Sequence, residues 1–318
     1  MCDISIVRYN SEYKDQWNSF VEKAKNGLFL HNRNYMDYHS DRFTDHSLLF
    51  YSDDSLIALL PANEKNSMLV SHGGLTYGGL LTNTSIKQHT VNDCFEALLR
   101  YVGEVGIERI IYKPVPHVFH QQPAEEDLYA LVRCGAKLTE VSASTVIDLQ
   151  NPLKMPKGRK AQISRAKREG VEIKVLEEKQ DYEAFIDLEN EVLERRHGVQ
   201  AVHTADELFL LHSRFPKNVH LYGALKDGKM IAGTVVFEYD QAVHTQYMAS
   251  NDLGRTTGAL DLAVSTVISN YREKKKWLDF GISTEEHGTV LNEGLISQKE
   301  GFGGRTNVYM VWVWNQHS

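Results

Sequence analysis

Residues 277–305 read WLDFGISTEEHGTVLNEGLISQKEGFGGR, and this stretch decides the fold. Residues 277–280 alternate between apolar and polar positions, which is typical of a half-buried strand. Gly281 ends that strand at its carboxyl end, which is where open α/β sheets place their ligands. We therefore expect the side chain of Asp279 to point into a cleft.

A short helix and a glycine-rich turn follow the strand after a polar loop. Residues 292–299 have the pattern of the helix, and residues 301–304, Gly-Phe-Gly-Gly, form the turn. Glycines there let the backbone bend sharply and approach another group closely, because no Cβ is in the way. Lys299 is expected beside that turn, where it would contribute little packing.

These residues resemble the C-terminal signature of the FemAB-like branch of the GNAT superfamily, in which a DFG-like strand end precedes a helix and a lysine next to GFGG. The matching positions are Asp279, Phe280, Gly281, Asn292, Gly294, Lys299 and Gly301 to Gly304. Residues 157–171, KGRKAQISRAKREGV, also look like the basic helix that opens the second half of those proteins. The resemblance implies two tandem GNAT-like domains and an acyltransferase activity.

A pattern of elements occurs twice along the chain. Each half has two helical segments, then a meander of three strands, a helix and a strand. In the first half these are residues 15–25, 35–43, 47–52, 56–62, 68–71, 85–104 and 107–113; in the second they are 181–196, 205–215, 219–226, 229–239, 242–250, 257–274 and 277–280. The order predicts an α/β fold (α+β, mixed sheet) of two tandem GNAT-like domains. Each is expected to be a mostly antiparallel mixed sheet flanked by helices, with residues 1–150 on the acceptor side or structural and residues 151–318 catalytic.

The composition restricts the compartment and the class of protein. With 318 residues and 42% hydrophobic residues, the chain can fill the cores of two domains of ordinary size. No apolar run is long enough to span a membrane, and the N-terminus lacks a secretory layout, so we expect a cytoplasmic protein. Cys2, Cys94 and Cys134 are too few and too far apart for a disulfide framework, and the last two are expected in packing.

Charge is spread unevenly along the chain. The formal net charge of −7 argues against a general nucleic-acid binder and against a DNA partner. Residues 154–168 nevertheless hold seven cations and no acid. We expect Arg159, Lys160 and Arg165 to bind phosphates, either of a nucleotide-linked or lipid-linked acceptor or of an RNA acceptor end. The alternative is a solvated helix face.

Transfer of an acyl group to an amine requires donors aimed at the oxyanion but no protein nucleophile. The resemblance places a functional lysine at Lys299, where an ammonium would stabilise the oxyanion; the alternative is a surface lysine. Asp279 is expected to orient the amine or accept its proton, and Tyr247 to protonate the leaving group. Structural roles are the alternative for both.

Residues 251–260, NDLGRTTGAL, occupy the place where GNAT enzymes cradle the pyrophosphate of coenzyme A on backbone amides. The candidate residues for binding an acyl-CoA are Arg255, Thr257, Gly258 and Ala259. Leu260 departs from the family pattern, which has a small residue there. The alternative is a helix start capped by threonine.

Further substrate-binding candidates lie in polar clusters at predicted strand ends and loops. These candidates are Arg33, Tyr77 and His117 in the first half, expected in an acceptor pocket between the domains, and Asn292 in the second. The chain has 14 histidines but no HExxH motif, and no metal site is predicted.

The leading hypothesis is an acyl- or aminoacyltransferase that uses acyl-CoA or aminoacyl-tRNA and modifies the amine of a sugar, peptide or cell-envelope precursor. The heptad-rich helical hairpin of the best-known relatives has no counterpart between residues 182 and 215, which counts against aminoacyl-tRNA. Two alternatives remain open. One is a non-catalytic ligand sensor or assembly protein with the same tandem fold, and the other is an RNA-binding protein that acts through residues 154–168.

Overall fold

The computed structural model describes residues 4–316 and divides the chain into two compact units. The first unit holds the chain up to Ser142 together with Glu285–Val290 and the segment that begins at Val308. The second unit comprises Ala143–Thr284 and Leu291–Asn307. The sequence placed one boundary near residue 150. It contained no local signal that the chain returns to the first unit twice after Thr284.

The first unit begins with a strand that the sequence analysis did not assign, and the two expected helices follow it. Its elements are β1 (Ile4–Arg8), α1 (Lys14–Lys23), α2 (Arg33–Met36), β2 (Thr44–Asp45), β3 (Leu48–Ser52), β4 (Ser55–Leu60), β5 (Asn63–Lys65), β6 (Met68–Val70), β7 (Leu81–Thr82), α3 (Gln88–Glu104), β8 (Arg109–Tyr112), α4 (Glu126–Arg133) and the start of β9 (Lys137–Asp148). Strands β1, β3, β4 and β7 form one antiparallel sheet in that order.

The second unit repeats the main elements of this order. Its elements are α5 (Lys157–Arg168), β10 (Glu172–Leu176), α6 (Lys179–His197), α7 (Ala205–Arg214), β11 (Val219–Lys226), β12 (Lys229–Glu238), β13 (Ala242–Ser250), α8 (Asp252–Thr257), α9 (Ala259–Tyr271), β14 (Trp277–Ile282) and α10 (Glu293–Glu300). Three further strands, β15 (Thr284–Glu285), β16 (Val290–Leu291) and β17 (Arg305–Asn315), each have residues in both units. Strands β10 to β14 and the end of β9 form one sheet in the order β10-β11-β12-β13-β14-β9, and only the β13–β14 pair is parallel.

Helix α3 supplies the core of the first unit through the apolar stripe that the sequence predicts. Val91, Cys94, Leu98 and Val102 are at most 2% exposed, because residues three and four apart lie on one helix face. Cys94 is therefore a packing residue, and Cys134 packs partly buried against the same cluster. Cys2 lies outside the described residues.

Helix α9 has the same role in the second unit. Val264, Val267 and Tyr271 are buried and pack on Val236 of β12 and Val243 of β13. This packing assigns one face of the sheet to α9 and leaves the opposite face of β12 and β13 to α6, which packs against both strands.

Two helices differ from their predicted lengths. The helix predicted at residues 35–43 is the four-residue α2 followed by a 3₁₀ turn at Asp37–His39. The helix predicted at residues 257–274 is α9 alone, because Gly258 adopts the left-handed conformation with φ of 78° and separates it from α8. Within residues 4–316, no helix is both long enough and apolar enough to cross a membrane.

Candidate functional site

Strands β13 and β14 part at the position where the candidate site lies. They pair in parallel at three positions, Ala242 with Trp277, Val243 with Leu278 and His244 with Asp279, and β13 then continues to Ser250. The carboxyl ends of neighbouring parallel strands that diverge are where open α/β sheets bind ligands. The last paired position therefore places His244 and Asp279 at the start of this opening.

Asp279 is fully buried and its carboxylate is held by three donors. Ser144 Oγ donates to Oδ1 over 2.6 Å, and the backbone N–H of Gly281 donates to Oδ2 over 2.9 Å. The third contact joins His244 Nδ1 and Asp279 Oδ2 over 2.6 Å. Buried carboxylates are tolerated when they are hydrogen-bonded in this way.

The carboxylate determines the tautomer of His244. Because an ionised carboxylate only accepts hydrogen bonds, the proton of this hydrogen bond lies on Nδ1 of His244. His244 is therefore arranged as a base oriented by Asp279. Sequence reasoning missed both His244 and Ser144. The signal for His244 was its place in the predicted strand 242–250, but the register that sets it opposite Asp279 is a tertiary feature.

Gly281 makes the bend after Asp279 possible. Its φ is +72°, a conformation that favours glycine, and a Cβ added there would lie 3.2 Å from Cε1 of His244. The sequence-based expectation of close backbone approach was made for residues 301–304. The structure shows that Gly281 also approaches a side chain, that of His244, in this way.

Lys299 is buried at the same bend. Only 3% of the residue is exposed, and Nζ donates to the carbonyl oxygens of Gly281 at 2.9 Å and Ile282 at 2.7 Å. Burial lowers the pKa of this amine to about 8, although the nearby Asp279 carboxylate acts in the opposite direction. The structure thus contradicts both the surface-lysine alternative and the expectation that Lys299 contributes little packing. Its catalytic role stays a prediction.

Tyr247 lies on the same sheet face as His244. A bulge in the β12–β13 pairing between Val235 and Val236 shifts the alternation of β13, so His244 and Tyr247 both lie opposite α9. The hydroxyl of Tyr247 hydrogen-bonds Nδ1 of His203, a buried residue just before α7. Sequence reasoning missed this histidine, because 44 residues separate the two partners.

Asn292 has a structural contact that the sequence did not specify. Its side-chain oxygen accepts from the backbone N–H of Leu295 at 3.0 Å, which caps the N-terminus of α10. Its backbone N–H donates to the carbonyl of Ser283. Asn292 therefore fixes the start of α10, and so helps to position Lys299 beside the bend after β14. Contact with a substrate stays a prediction.

The loop predicted to hold the pyrophosphate of coenzyme A is mostly covered. A Cβ on Gly258 would lie 2.7 Å from the carbonyl oxygen of Gln162 in α5, Ala259 is 0% exposed, and the hydroxyl of buried Thr257 donates to the carbonyl of Leu253. Arg255 is engaged by the Ser250 carbonyl and by the carboxylate of Asp252. The residues at this place do not fit a coenzyme A pyrophosphate unless α5 moves away.

Arg159 anchors the basic helix instead of presenting a free cation. Its guanidinium pairs with Asp261 of α9, donates to the carbonyl of Gln298 over 2.8 Å, and lies 4.2 Å from the ring centroid of Phe302. Phosphate binding by Arg159 stays a prediction, and it would compete with these contacts. Lys160 and Arg165, on the same helix, are exposed.

Replacing Arg159 by alanine is expected to destabilise the protein by about 2 kcal/mol, because Asp261 would stay partly buried without its partner. The exposed Lys160→Ala on the same helix serves as the control and should leave stability nearly unchanged. Urea denaturation of both variants measures the difference. Equal unfolding free energies for the two variants would contradict the anchoring role.

Two of the three candidates in the first unit have structural roles. Arg33 is 4% exposed and pairs with Asp37 and Asp45 over 2.5 Å and 2.8 Å. Tyr77 is 2% exposed and packs on Phe119 with ring centroids 5.0 Å apart. Both belong to the packing of the first unit, which corrects the expectation that they are available to a substrate. His117 is exposed, and its contact with a substrate stays a prediction.

No group of three His, Cys, Asp or Glu side chains suited to a metal ion occurs among residues 4–316.

The sequence model of the acetyltransferase (GNAT) domain matches residues 157–287. No curated protein matches the chain in sequence. Among solved structures, the chain is similar to FemX, at 10% identity and a TM-score of 0.68, with 96% of each chain covered. It is also similar to the C-terminal domain of a putative lysylphosphatidylglycerol synthetase from Agrobacterium fabrum, at 13% identity and a TM-score of 0.65, with 96% of this chain and 92% of that one covered.

A third similar structure is a tandem GNAT protein from the clavulanic acid biosynthesis pathway, at 12% identity and a TM-score of 0.54, with 99% of each chain covered. Similarity at this level of identity concerns the fold. The predicted fold class is confirmed by these structures and by the repeated order of elements. Residues 157–287 are therefore similar in sequence to the acetyltransferase (GNAT) domain, and the fold of the whole chain is similar to that of FemX and of a tandem GNAT protein.

Proposed function

We propose that this protein transfers an acyl or aminoacyl group to the amine of a sugar, peptide or cell-envelope precursor. The observation that carries the proposal is the His244–Asp279 pair at the point where β13 and β14 part. An amine acceptor must lose a proton as it attacks, and a neutral imidazole held by a carboxylate is suited to take it. A location in the cytoplasm is part of the same proposal.

The proposed reaction needs one base and one acid. The acceptor nitrogen attacks the carbonyl carbon of the acyl ester or thioester, and Nε2 of His244 takes the proton that this nitrogen releases. Asp279 holds the ring and stabilises the imidazolium that forms, as buried carboxylates do in other histidine pairs. The tetrahedral intermediate then collapses, and its leaving oxygen or sulfur takes a proton from Tyr247 or from the imidazolium. The His203 contact orients the Tyr247 hydroxyl.

The position of Lys299 supports a role in shaping this site. Its amine joins α10 to the bend after β14 through the carbonyls of Gly281 and Ile282. Those two residues follow Asp279 directly, so the lysine stabilises the backbone that donates to the carboxylate. We propose that Lys299 acts first on this backbone. Stabilisation of the oxyanion by the same ammonium is the further role that the family resemblance implies.

The described site gives less information about the chemical class of the acyl donor than about the other parts of the proposal. Residues 255–259 do not fit a coenzyme A pyrophosphate, whereas the exposed cations of α5, which include Lys160 and Arg165, are available to phosphates of another carrier. One similar structure is named a putative lysylphosphatidylglycerol synthetase, a name that denotes transfer of an aminoacyl group. Both observations favour an aminoacyl ester over a simple acyl-CoA.

Donor binding tests the proposal directly. A donor at a hundred times its dissociation constant should stabilise the folded protein by roughly 2.7 kcal/mol. Thermal denaturation with acetyl-CoA, longer acyl-CoA esters and mixed aminoacyl-tRNA therefore identifies the donor class, and deacylated tRNA is the control for nonspecific binding. We expect a shift with aminoacyl-tRNA that deacylated tRNA does not reproduce. If no acyl donor shifts the unfolding midpoint, the transferase proposal is wrong and a sensor or assembly protein replaces it.

A further inference from the structure

Helix α6 carries a buried carboxyl group that the proposed mechanism does not use. Glu189 is 7% exposed, and its Oε2 atom has no accessible surface and no hydrogen-bond partner among the described residues. Buried carboxyl groups are normally hydrogen-bonded or paired, because an unpaired one costs free energy. Oε2 of Glu189 is therefore a buried atom without a hydrogen-bond partner among the described residues.

The position of Glu189 places it on the face of the sheet that carries the candidate site. Phe185, one helical turn earlier, packs so closely on β12 that a Cβ on Gly233 would lie 2.9 Å from its ring. Gly233 lies on the face opposite α9, as do His244 and Tyr247. The next residue of α6, Asn190, accepts from the backbone N–H of Ala201, two residues before His203. Glu189 thus belongs to the side of the sheet where Tyr247 and His203 meet.

Among the residues whose side chains the structure describes, none supplies a cation to Glu189. The elements packed against α6 are α7, β12 and β13. Of their titratable groups, His244 pairs with Asp279, Tyr247 pairs with His203, and His212 of α7 donates from Nδ1 to the carbonyl of Val219. Burial is the cause that raises the pKa of Glu189 to about 7, and no neighbouring charge contributes to this shift.

We propose that Glu189 binds a primary ammonium group of one of the substrates. The inference rests on the proposed function, because that reaction supplies the ammonium group. The acceptor carries an amine, and an aminoacyl donor carries an α-ammonium group as well. A metal ion is a poorer match, because no group of three ligands lies within the described residues. A single carboxylate suits a small monovalent organic cation, which would contribute both the missing hydrogen bond and the missing charge.

The test uses binding and stability and needs no turnover. L-Alaninamide represents an aminoacyl donor and glucosamine an acceptor amine, and each is added at millimolar concentration to the full chain and to Glu189→Gln at pH 8. We expect one probe to raise the unfolding midpoint of the unchanged protein, and Glu189→Gln to bind that probe about tenfold to a hundredfold more weakly. The probe that acts tells which substrate carries the ammonium.

Glu189→Gln should also unfold at a higher temperature than the unchanged protein at pH 8. The pKa of Glu189 rises from 4.5 to about 7 on folding, so the unfolding free energy of the unchanged protein falls as the pH rises between these values. Glutamine does not titrate, so the variant does not show this fall. The difference should therefore vanish near pH 4.5. Asp127→Asn is the matched control, because Asp127 is a buried carboxyl of similar pKa, about 7, but accepts a hydrogen bond from Tyr112. Asp127→Asn should keep the probe-induced shift.

Two results would overturn the inference. One is a Glu189→Gln variant that keeps full affinity for the probe, and the other is the absence of any shift with both probes in the unchanged protein. Neither result depends on whether transfer occurs. If the protein transfers an acyl group and needs His244 to do so, but neither probe acts through Glu189, then only the inference about Glu189 is wrong. If a probe binds through Glu189 but the protein binds no acyl donor, then the proposed function is wrong and Glu189 is still a binding site for an ammonium group.

Discussion

Replacing His244 by glutamine is expected to lower the turnover number by about a hundredfold to ten-thousandfold, the range in which general-base catalysis contributes. Glutamine retains a polar side chain but has no group that can take a proton from the acceptor. The unfolding midpoint should change little in comparison, because the amide of glutamine can still donate a hydrogen bond to Asp279. Steady-state assays with the donor identified by thermal denaturation measure the effect.

His220→Gln is the matched control for this experiment. His220 is on β11 beside Glu238, and its ring contacts the carbonyl of Lys217, away from the end of β14. Its replacement should leave turnover unchanged. A second variant, Asp279→Asn, should reduce turnover at an almost unchanged KM, since the carboxylate acts through the imidazole. If His244→Gln turns over as fast as the unchanged protein, His244 is not the base.

Replacing Lys299 by methionine should change how stability depends on pH. The pKa of Lys299 is lowered from 10.5 to about 8 on folding, so the folded state favours the neutral amine. As the pH rises from 8 to 10.5, the unfolded chain still binds the proton that the folded chain has lost, and stability increases. The increase attributable to Lys299 is about 3 kcal/mol, and methionine cannot show it.

The measurement is the unfolding free energy of both proteins by urea denaturation between pH 7 and pH 10.5. The difference between the unchanged protein and Lys299→Met should grow in favour of lysine over this interval. The exposed Lys160→Met is the control and should follow the unchanged protein. A difference that stays constant with pH would show that the Lys299 amine is not desolvated, and the two hydrogen bonds to Gly281 and Ile282 would then be in doubt.

Removal of the Lys299 amine should also lower turnover, because the carbonyls of Gly281 and Ile282 would lose their donor. The bend that they form presents the backbone N–H of Gly281 to Asp279. Loss of activity and loss of stability are therefore coupled at this residue. This differs from the sequence-based expectation, in which Lys299 was a functional lysine that contributed little packing.

Local periodicity was sufficient for most of the secondary structure. Strands β11 and β13 have the bounds that the sequence predicted, and α3, α7 and α10 differ by only a few residues at their ends. These elements are long or sharply bounded, so each burial pattern appears within a single window. The helix at residues 35–43 was predicted too long, because the aromatic spacing of that segment resembles a helical stripe although the backbone turns tightly at Asp37–His39.

Individual site residues were harder to predict than the elements that carry them. Asp279 and Lys299 were predicted as site residues, and the structure brings both to one bend, while their catalytic roles stay predictions. Arg33 and Tyr77 were chosen as residues near strand ends and Arg159 as a cation of the basic helix, and all three have structural partners. The sequence around a cation does not show whether it is paired, because its partner can be far away along the chain. The partner of Arg159 is Asp261, 102 residues away.

The sequence by itself determined the order of the main elements, the meander of the second half and the strand that carries Asp279, because each depends on neighbours within a few residues. The meander predicted for the first half was wrong, because the strand at residues 68–70 pairs with β5 and β8 and not with β4. Only the tertiary structure decided which side chains surround that aspartate. Ser144 is 135 residues from Asp279 along the chain and His244 is 35, and the pairing of β9 and β13 with β14 joins all three. Strand register is set by the burial of whole faces, so it is a property of the folded sheet.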